Sequence, residues 1–135
     1  MKRLFLILFM AVLFTGCQTK SVAGETTKPI QGFYQNITPD ELNTILKNKE
    51  FAFINVHIPL AGNIAGTDIS IPYDQIEQNL SQLPSDKGAK IVLYCRSGHM
   101  SQIAAERLAS LGYTNIWNLN GGMQAWEQAG YEIEK

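Results

Sequence analysis

The residues best suited to chemistry form a single loop, Cys95-Arg96-Ser97-Gly98-His99-Met100-Ser101. The loop follows the apolar run Ile91-Val92-Leu93-Tyr94, which is typical of a buried strand, and it precedes a helical pattern that ends at Leu111. A loop that opens a helix presents unpaired amide N–H groups and the positive end of the helix dipole. Both features favour a bound anion, and the thiolate of Cys95 is one such anion.

We expect the donors of this loop to hold the thiolate and an anionic substrate alike. The amides of residues 96–101 supply N–H groups, and the Arg96 guanidinium and the His99 imidazole supply positive charge. Gly98 allows the loop to bend so that several amides point inward, and the two serines of the loop add hydroxyl donors. The loop therefore predicts a cysteine nucleophile beside an anion-binding backbone.

Cys95 also has other interpretations. A cysteine at the end of a strand can be a small buried hydrophobe. It can also be paired with a base, His57 or His99, because His57 follows the apolar run 51–56, which we expect to lie parallel to the strand before the loop. The two histidines, one loop cysteine and scattered carboxylates show no ligand spacing, so we expect neither a metal nor a cofactor.

The first residues have the features of an export signal. Lys2-Arg3 is a charged start, and the apolar run 4–14 is too short to span a bilayer. Phe14-Thr15-Gly16-Cys17 resembles a bacterial lipobox, in which cleavage precedes a lipidated cysteine. We therefore expect a signal peptide at 1–16, lipidation of Cys17, a flexible tether at 17–32 and a lipid-anchored protein of the bacterial cell envelope, on its periplasmic or outer face. An ordinary signal peptide with an incidental cysteine is the alternative.

Lipidation of Cys17 would leave Cys95 without a disulfide partner, because the chain has two cysteines. An unpaired thiol in an oxidising compartment is exposed to overoxidation and mixed disulfides. Its presence there indicates that its reactivity is used.

The chain of 135 residues has room for one domain, which we expect at 33–135. Strand-like apolar runs alternate with helical patterns along this region, and this alternation predicts an α/β fold with a mostly parallel sheet covered by helices on both faces. Ligands of such sheets bind at the carboxyl ends of the strands, where Cys95 lies. Eleven basic against twelve acidic residues, without a basic cluster in the domain, argue against nucleic acid binding, and we expect a monomer.

Residues from about Tyr34 to Ile133 resemble a single rhodanese (sulfurtransferase) domain. Tyr94-Cys95-Arg96-Ser97-Gly98 matches the family's active-site loop, and Asn118-Leu119-Asn120-Gly121-Gly122-Met123-Gln124-Ala125-Trp126, followed by Ala129-Gly130-Tyr131, matches its C-terminal signature. From the residues alone, Gly121-Gly122 indicates a close turn and Trp126 a core position.

The resemblance implies a rhodanese-like three-layer sandwich and a covalent mechanism. Cys95 would take sulfur from a donor such as thiosulfate, form a persulfide and pass the sulfur to a thiol or cyanide acceptor. Arg96, Ser97, Gly98, His99, Met100 and Ser101 would bind the substrate, and their amides would stabilise the thiolate and the persulfide.

Three segments depart from the family pattern. The family's Asp-Val-Arg is Asn55-Val56-His57 here, its Gly-His-Ile-Pro-Gly is Gly62-Asn63-Ile64-Ala65-Gly66, and the loop position that often carries Arg, Lys or Thr is Met100. We expect His57 or Asn63 near the rim of the site in place of the missing charged pair. Without a charge or hydroxyl at position 100, a less charged donor or a protein-bound persulfide is favoured over thiosulfate.

The departures also bear on the rival functions. A noncatalytic rhodanese-like docking module at the envelope is favoured by the altered rim residues, and a redox role would require a second protein to supply the resolving cysteine. Cysteine phosphatases of the same fold need an arginine six residues after the nucleophile, where this chain has Ser101. Phosphatase and arsenate reductase activities are therefore disfavoured.

Overall fold

The structure is a computed structural model and describes residues 34–135. The predicted signal peptide, the lipidation site Cys17 and the tether at 17–32 lie outside the described residues, as does residue 33. The elements in chain order are β1 (Gln35–Ile37), α1 (Pro39–Leu46), β2 (Ala52–Asn55), β3 (Asn63–Ile64), β4 (Ile69–Ser70), two 3₁₀ helices (Tyr73–Gln75 and Glu77–Gln82), β5 (Ile91–Tyr94), α2 (His99–Ser110), β6 (Ile116–Leu119), α3 (Gly122–Gln128) and β7 (Ile133–Glu134). Within residues 34–135, no helix has the length and apolar character that crossing a membrane requires.

Five strands form one sheet in the order β1-β6-β5-β2-β4, and every neighbouring pair is parallel. The central strand β5 lies between β6 and β2, and its last residue, Tyr94, is level with Asn55 of β2. Parallel neighbours end at the same edge of the sheet, so the segments that follow β2 and β5 leave it side by side. The expected α/β fold with a mostly parallel sheet is confirmed.

Helices cover both faces of this sheet. One face, which carries Ile54 and Leu93, packs against α2 and the 3₁₀ segment. The other, which carries Phe53 and Tyr94, packs against α1 and α3, and Trp126 of α3 belongs to this core as expected. Because neighbouring residues of a strand point to opposite faces, β2 and β5 are apolar on both sides. The two cores and the sheet between them make the predicted three layers.

The structure differs from the sequence-based prediction in two places. The spacing of Ile76, Leu80 and Leu83 predicts one α-helix from Tyr73 to Leu83, whereas the structure has two 3₁₀ helices there. Asn79 has a non-helical backbone there, and its side-chain Nδ2 donates to the Gln75 carbonyl, which competes with the helical ladder. The antiparallel pair of β3 with β7 was not predicted, because each strand has only two residues.

Candidate active site

Cys95 lies directly after β5, where its sulfur accepts two hydrogen bonds from its own loop. The Gly98 amide donates to Sγ at 3.0 Å, and the Ser101 hydroxyl donates to Sγ at 3.5 Å. Gly98 has a φ of +98°, which is accessible to glycine at little cost, and it is the residue that precedes α2. Of the predicted loop donors, one amide and one hydroxyl reach the sulfur. Cys95 is also 1% exposed, so only a small opening leads to Sγ.

Ser101 is fully buried, and its single proton has two possible acceptors. Besides Sγ, the hydroxyl oxygen is 3.0 Å from the Gly98 carbonyl oxygen, to which it can also donate. A hydroxyl can serve one acceptor at a time. Hydrogen bonds to an ionised acceptor are the stronger ones, so negative charge on Sγ draws this proton toward the sulfur.

The rest of the loop leaves several donors free. Within this loop, five backbone amides have no hydrogen-bond partner among the described residues: Arg96, Ser97, His99, Met100 and Ser101. The side chains of Arg96, Ser97 and His99 are exposed, and Met100 is half-buried against the core that contains Cys95. The loop thus combines a buried sulfur with unpaired N–H groups and one exposed guanidinium, which suits an anionic or polarised sulfur compound.

The start of α3 is hydrogen-bonded to the backbone of the cysteine loop. The Met123 amide donates to the Cys95 carbonyl at 2.9 Å, and the Gln124 amide donates to the Arg96 carbonyl at 3.0 Å. A Cβ on Gly122 would lie 2.3 Å from the Cys95 carbonyl oxygen, so a glycine is required for this approach. The expected close turn at Gly121-Gly122 is confirmed. Its contact with the cysteine loop was not predicted, because the two segments are far apart in the sequence.

His57 lies at the same edge of the sheet as the cysteine loop. The Val56 amide donates to the Tyr94 carbonyl at 2.8 Å, so the chain leaving β2 runs beside the chain leaving β5. Burial, and then the positive charge of Arg96, hold the pKa of His57 below its usual value. Its Nδ1 is buried and makes no hydrogen bond to any described residue. The structure thus places His57 at the sheet edge from which the cysteine loop leaves, and its rim role stays a prediction.

Asn63 is not directed at the cysteine loop, and its predicted rim position needs correction. Its Oδ1 accepts hydrogen bonds from Asn55 Nδ2 at 2.9 Å, from Ser70 Oγ at 3.2 Å and from the Tyr94 hydroxyl at 3.3 Å. These partners lie with Tyr94 on the opposite face of the sheet from Cys95. Asn63 is bound there because Asn55 supplies an amide donor at short range.

Asn55 was counted among the altered rim residues in the sequence, but its structural role was not predicted. It is 1% exposed, its Oδ1 accepts from the His57 amide at 3.0 Å, and its Nδ2 donates to the Gly62 carbonyl at 2.9 Å as well as to Asn63. One buried side chain therefore joins both ends of the segment 57–62. The signal was present in the sequence, since positions 55 and 63 depart from the family pattern together.

The chemistry available is that of a single nucleophilic sulfur. Cys95 is a free cysteine, and no group of three or more His, Cys, Asp or Glu residues in the described range could hold a metal ion. The sulfur has donors for negative charge, and Ser101 occupies the position at which a phosphatase loop needs arginine. The site can form a covalent bond to an electrophilic sulfur and stabilise the thiolate that later leaves.

Comparison with known proteins agrees with this geometry. The model of the rhodanese-like domain family matches residues 38–129. An uncharacterized protein of Synechocystis sp. is 35% identical over 101 residues, which cover 73% of this chain and 55% of that protein. A protein of Allochromatium vinosum named sulfurtransferase is 37% identical over 65 residues, which cover 48% of this chain and 59% of that protein. The chain thus spans little more than half the length of these two relatives.

A solved structure shows the same fold over the whole domain. The crystal structure of a rhodanese-like domain protein from Staphylococcus aureus has a TM-score of 0.62 and 30% identity to this chain, over 75% of this chain and 99% of that one. The family match covers well over half of the present sequence. The chain belongs to the rhodanese-like domain family.

Proposed function

We propose that the protein is a sulfurtransferase in which Cys95 carries the sulfur as a persulfide. The observation that supports this most directly is the convergence of the Gly98 amide and the Ser101 hydroxyl on the Cys95 sulfur. Membership of the family, together with relatives named sulfurtransferase, supports sulfur transfer at the family level. The persulfide role of this particular cysteine is the step that needs testing.

The proposed reaction has two half-reactions. The Cys95 thiolate attacks the outer sulfur of the donor, a new S–S bond forms, and the remainder of the donor leaves with the electron pair of the broken bond. For thiosulfate the leaving group is sulfite. An acceptor nucleophile then attacks the outer sulfur of the persulfide, and Cys95 leaves as the thiolate. The Gly98 and Ser101 donors are in position to stabilise the negative sulfur at the start and at the end.

The donor we favour is a small organic persulfide or a protein-bound persulfide. Met100 is apolar and half-buried, at a position where the family pattern often has a charged residue or a hydroxyl. The loop therefore has no charged or hydroxyl side chain at this position to bind the sulfonate group of thiosulfate. Arg96 supplies one exposed positive charge to the rim. One cation and free amides suit a donor that carries at most one charge at its reacting end better than thiosulfate, which carries two on a small ion.

A turnover assay with a panel of donors tests the proposal. The wild type and Cys95→Ser would be compared with thiosulfate and with glutathione persulfide as donors, and a thiol or cyanide as the acceptor. We expect turnover that requires Cys95, with a higher kcat/KM for the organic persulfide. Equal turnover by Cys95→Ser would contradict the proposal, whereas a preference for thiosulfate would contradict only the donor class.

A noncatalytic docking module is the second candidate, and the burial of Cys95 favours it. A sulfur that is 1% exposed offers little access, and Asn55, His57 and Met100 all differ from the residues expected of the family. The rate of alkylation by iodoacetamide near neutral pH separates the two candidates. Rapid alkylation of Cys95, relative to the same thiol in urea, would indicate an activated and reachable thiolate, and slow alkylation would favour docking.

We further propose that the protein acts at the bacterial cell envelope, held by a lipid on Cys17. Support for this comes from the charged start, the apolar run 4–14 and the lipobox-like Phe14-Thr15-Gly16-Cys17. Membrane fractionation of cells that express the full chain or Cys17→Ser tests it. We expect the first in the membrane fraction and the second not to be retained there, and equal distribution would contradict lipid anchoring.

A further inference from the structure

His57 provides an unpartnered proton acceptor, which the cysteine loop lacks. We propose that His57 is the base that takes the proton from an incoming thiol acceptor during the second half-reaction. This inference rests on the proposed sulfur transfer, and it assigns to the chain a residue that differs from the family pattern at this position. It also predicts the class of acceptor, a neutral thiol.

The backbone at His57 is fixed by the buried Asn55. Asn55 Oδ1 accepts from the His57 amide at 3.0 Å, and Asn55 Nδ2 donates to the Gly62 carbonyl at 2.9 Å. The segment 57–62 is therefore held at both ends by one side chain. Because Val56 runs beside Tyr94, this attachment keeps His57 at the edge where Cys95 and Arg96 follow.

The Nδ1 atom of His57 is a proton acceptor that no described residue uses. It is buried and has no partner among the described residues, and a buried polar atom without a hydrogen bond costs about 1–3 kcal/mol. Such an atom calls for an explanation, and a hydrogen bond to a substrate supplies one. Burial and the nearby charge of Arg96 both favour the neutral imidazole, which is the form that accepts a proton.

The cysteine loop itself offers donors and no comparable acceptor. The Gly98 amide, the Ser101 hydroxyl and the Arg96 guanidinium can each stabilise a negative sulfur. An ordinary thiol, by contrast, is mostly protonated at neutral pH and must lose its proton to attack. His99 is the other imidazole of the described chain, and it is exposed at the first residue of α2.

The proposed step balances without an added oxidant or reductant. The acceptor thiol gives its proton to His57, and the resulting thiolate attacks the outer sulfur of the protonated Cys95 persulfide. The S–S bond to Cys95 breaks, its electron pair stays on Cys95 Sγ, and the acceptor leaves as a persulfide. The imidazolium of His57 then returns its proton to water. General base catalysis of this kind contributes about 10²–10⁴ in rate.

Single-turnover transfer from the preloaded persulfide tests the inference. Wild type, His57→Gln and His57→Asn would be loaded with sulfur and mixed either with a thiol or with sulfite, at a pH where sulfite is a dianion with no proton to lose. We expect both variants to load like the wild type, to react with the thiol about 100-fold more slowly, and to react with sulfite at the wild-type rate.

Each other outcome overturns a distinct statement. Wild-type rates with the thiol would show that His57 is not the base, and an equal loss with thiol and sulfite would show a structural role. If the ratio of thiol to sulfite rates fell in His99→Gln and not in His57→Gln, the wrong imidazole would have been assigned. Failure of the wild type to load would refute the sulfur transfer itself, and this inference with it.

Discussion

Gly122 provides the sharpest test of how the fold holds the reactive loop. Replacing it with alanine adds one methyl group, whose carbon would lie 2.3 Å from the Cys95 carbonyl oxygen and 2.8 Å from the Arg96 carbonyl oxygen. Both oxygens are backbone atoms that accept hydrogen bonds from α3, so neither can move without breaking a contact. Gly122 also has a φ of +58°, where an alanine is strained.

The structure sets the expected loss in the free energy of unfolding. The left-handed backbone costs an alanine about 1 kcal/mol, and each of the two hydrogen bonds from α3 to the loop contributes about 1 kcal/mol. We therefore expect Gly122→Ala to lose about 3 kcal/mol. A domain of this size is stable by about 5–15 kcal/mol, so the variant should remain folded and can be purified.

Gly130→Ala is the matched control. Gly130 also has a positive φ, +91°, but a Cβ there would meet no atom within 4 Å. We expect this variant to lose only the backbone contribution, about 1 kcal/mol. Urea unfolding, followed by intrinsic fluorescence, gives both losses in the free energy of unfolding. The alkylation rate of Cys95 shows whether the cysteine loop keeps its conformation. If Gly122→Ala lost no more stability than Gly130→Ala and kept the wild-type alkylation rate, α3 would not be what holds the loop.

Three further predictions concern single residues. Met100→Arg should raise the rate of persulfide formation from thiosulfate about tenfold relative to the rate from an organic persulfide, because it adds a positive charge at the rim. Stopped-flow loading with both donors measures the ratio of the two rates. An unchanged ratio would show that Met100 does not select the donor. Ser101→Ala should slow alkylation of Cys95 about tenfold, because the thiolate loses a donor, whereas an unchanged rate would mean that the hydroxyl stays on the Gly98 carbonyl. Because the pKa of His57 is lowered in the folded protein, its imidazole binds a proton more readily in the unfolded chain than in the folded one. The free energy of unfolding should therefore fall as the pH drops below about 6.5. His57→Gln should make the urea midpoint depend less on pH across about pH 5 to 7. A midpoint curve identical to that of the wild type would show that His57 is not the cause of the pH dependence.

Local signals in the sequence were enough to predict the layers and the reactive loop. The apolar run before Cys95 and the helical spacing after it define β5 and α2, because burial on both faces removes the polar alternation of an exposed strand. The start of α1 was equally legible. The sequence Thr38-Pro39-Asp40-Glu41 has the spacing that predicts a capping box, and in the structure the Glu41 carboxylate accepts from the Thr38 amide at 2.9 Å.

Contacts between distant segments were beyond such reasoning. The docking of α3 on the cysteine loop joins Gly122 to Cys95, and the spacing of the two in the sequence carries no sign of it. The role of Asn55 could not be predicted for the same reason, since its partners Gly62 and Asn63 come close to it only after the chain turns back toward β2. The failure at 73–83 was different, because there an asparagine side chain outcompeted the helical ladder that the apolar spacing predicts.

The intact mass of the protein after exposure to sulfur donors shows directly whether Cys95 carries sulfur as a persulfide. Wild type and Cys95→Ser would be incubated with thiosulfate or glutathione persulfide, freed of excess donor and weighed by mass spectrometry before and after addition of a thiol. We expect the wild type to gain the mass of one sulfur atom and to lose it to the thiol, and Cys95→Ser to gain none. A wild type that no donor loads, or a variant that loads equally, would contradict it.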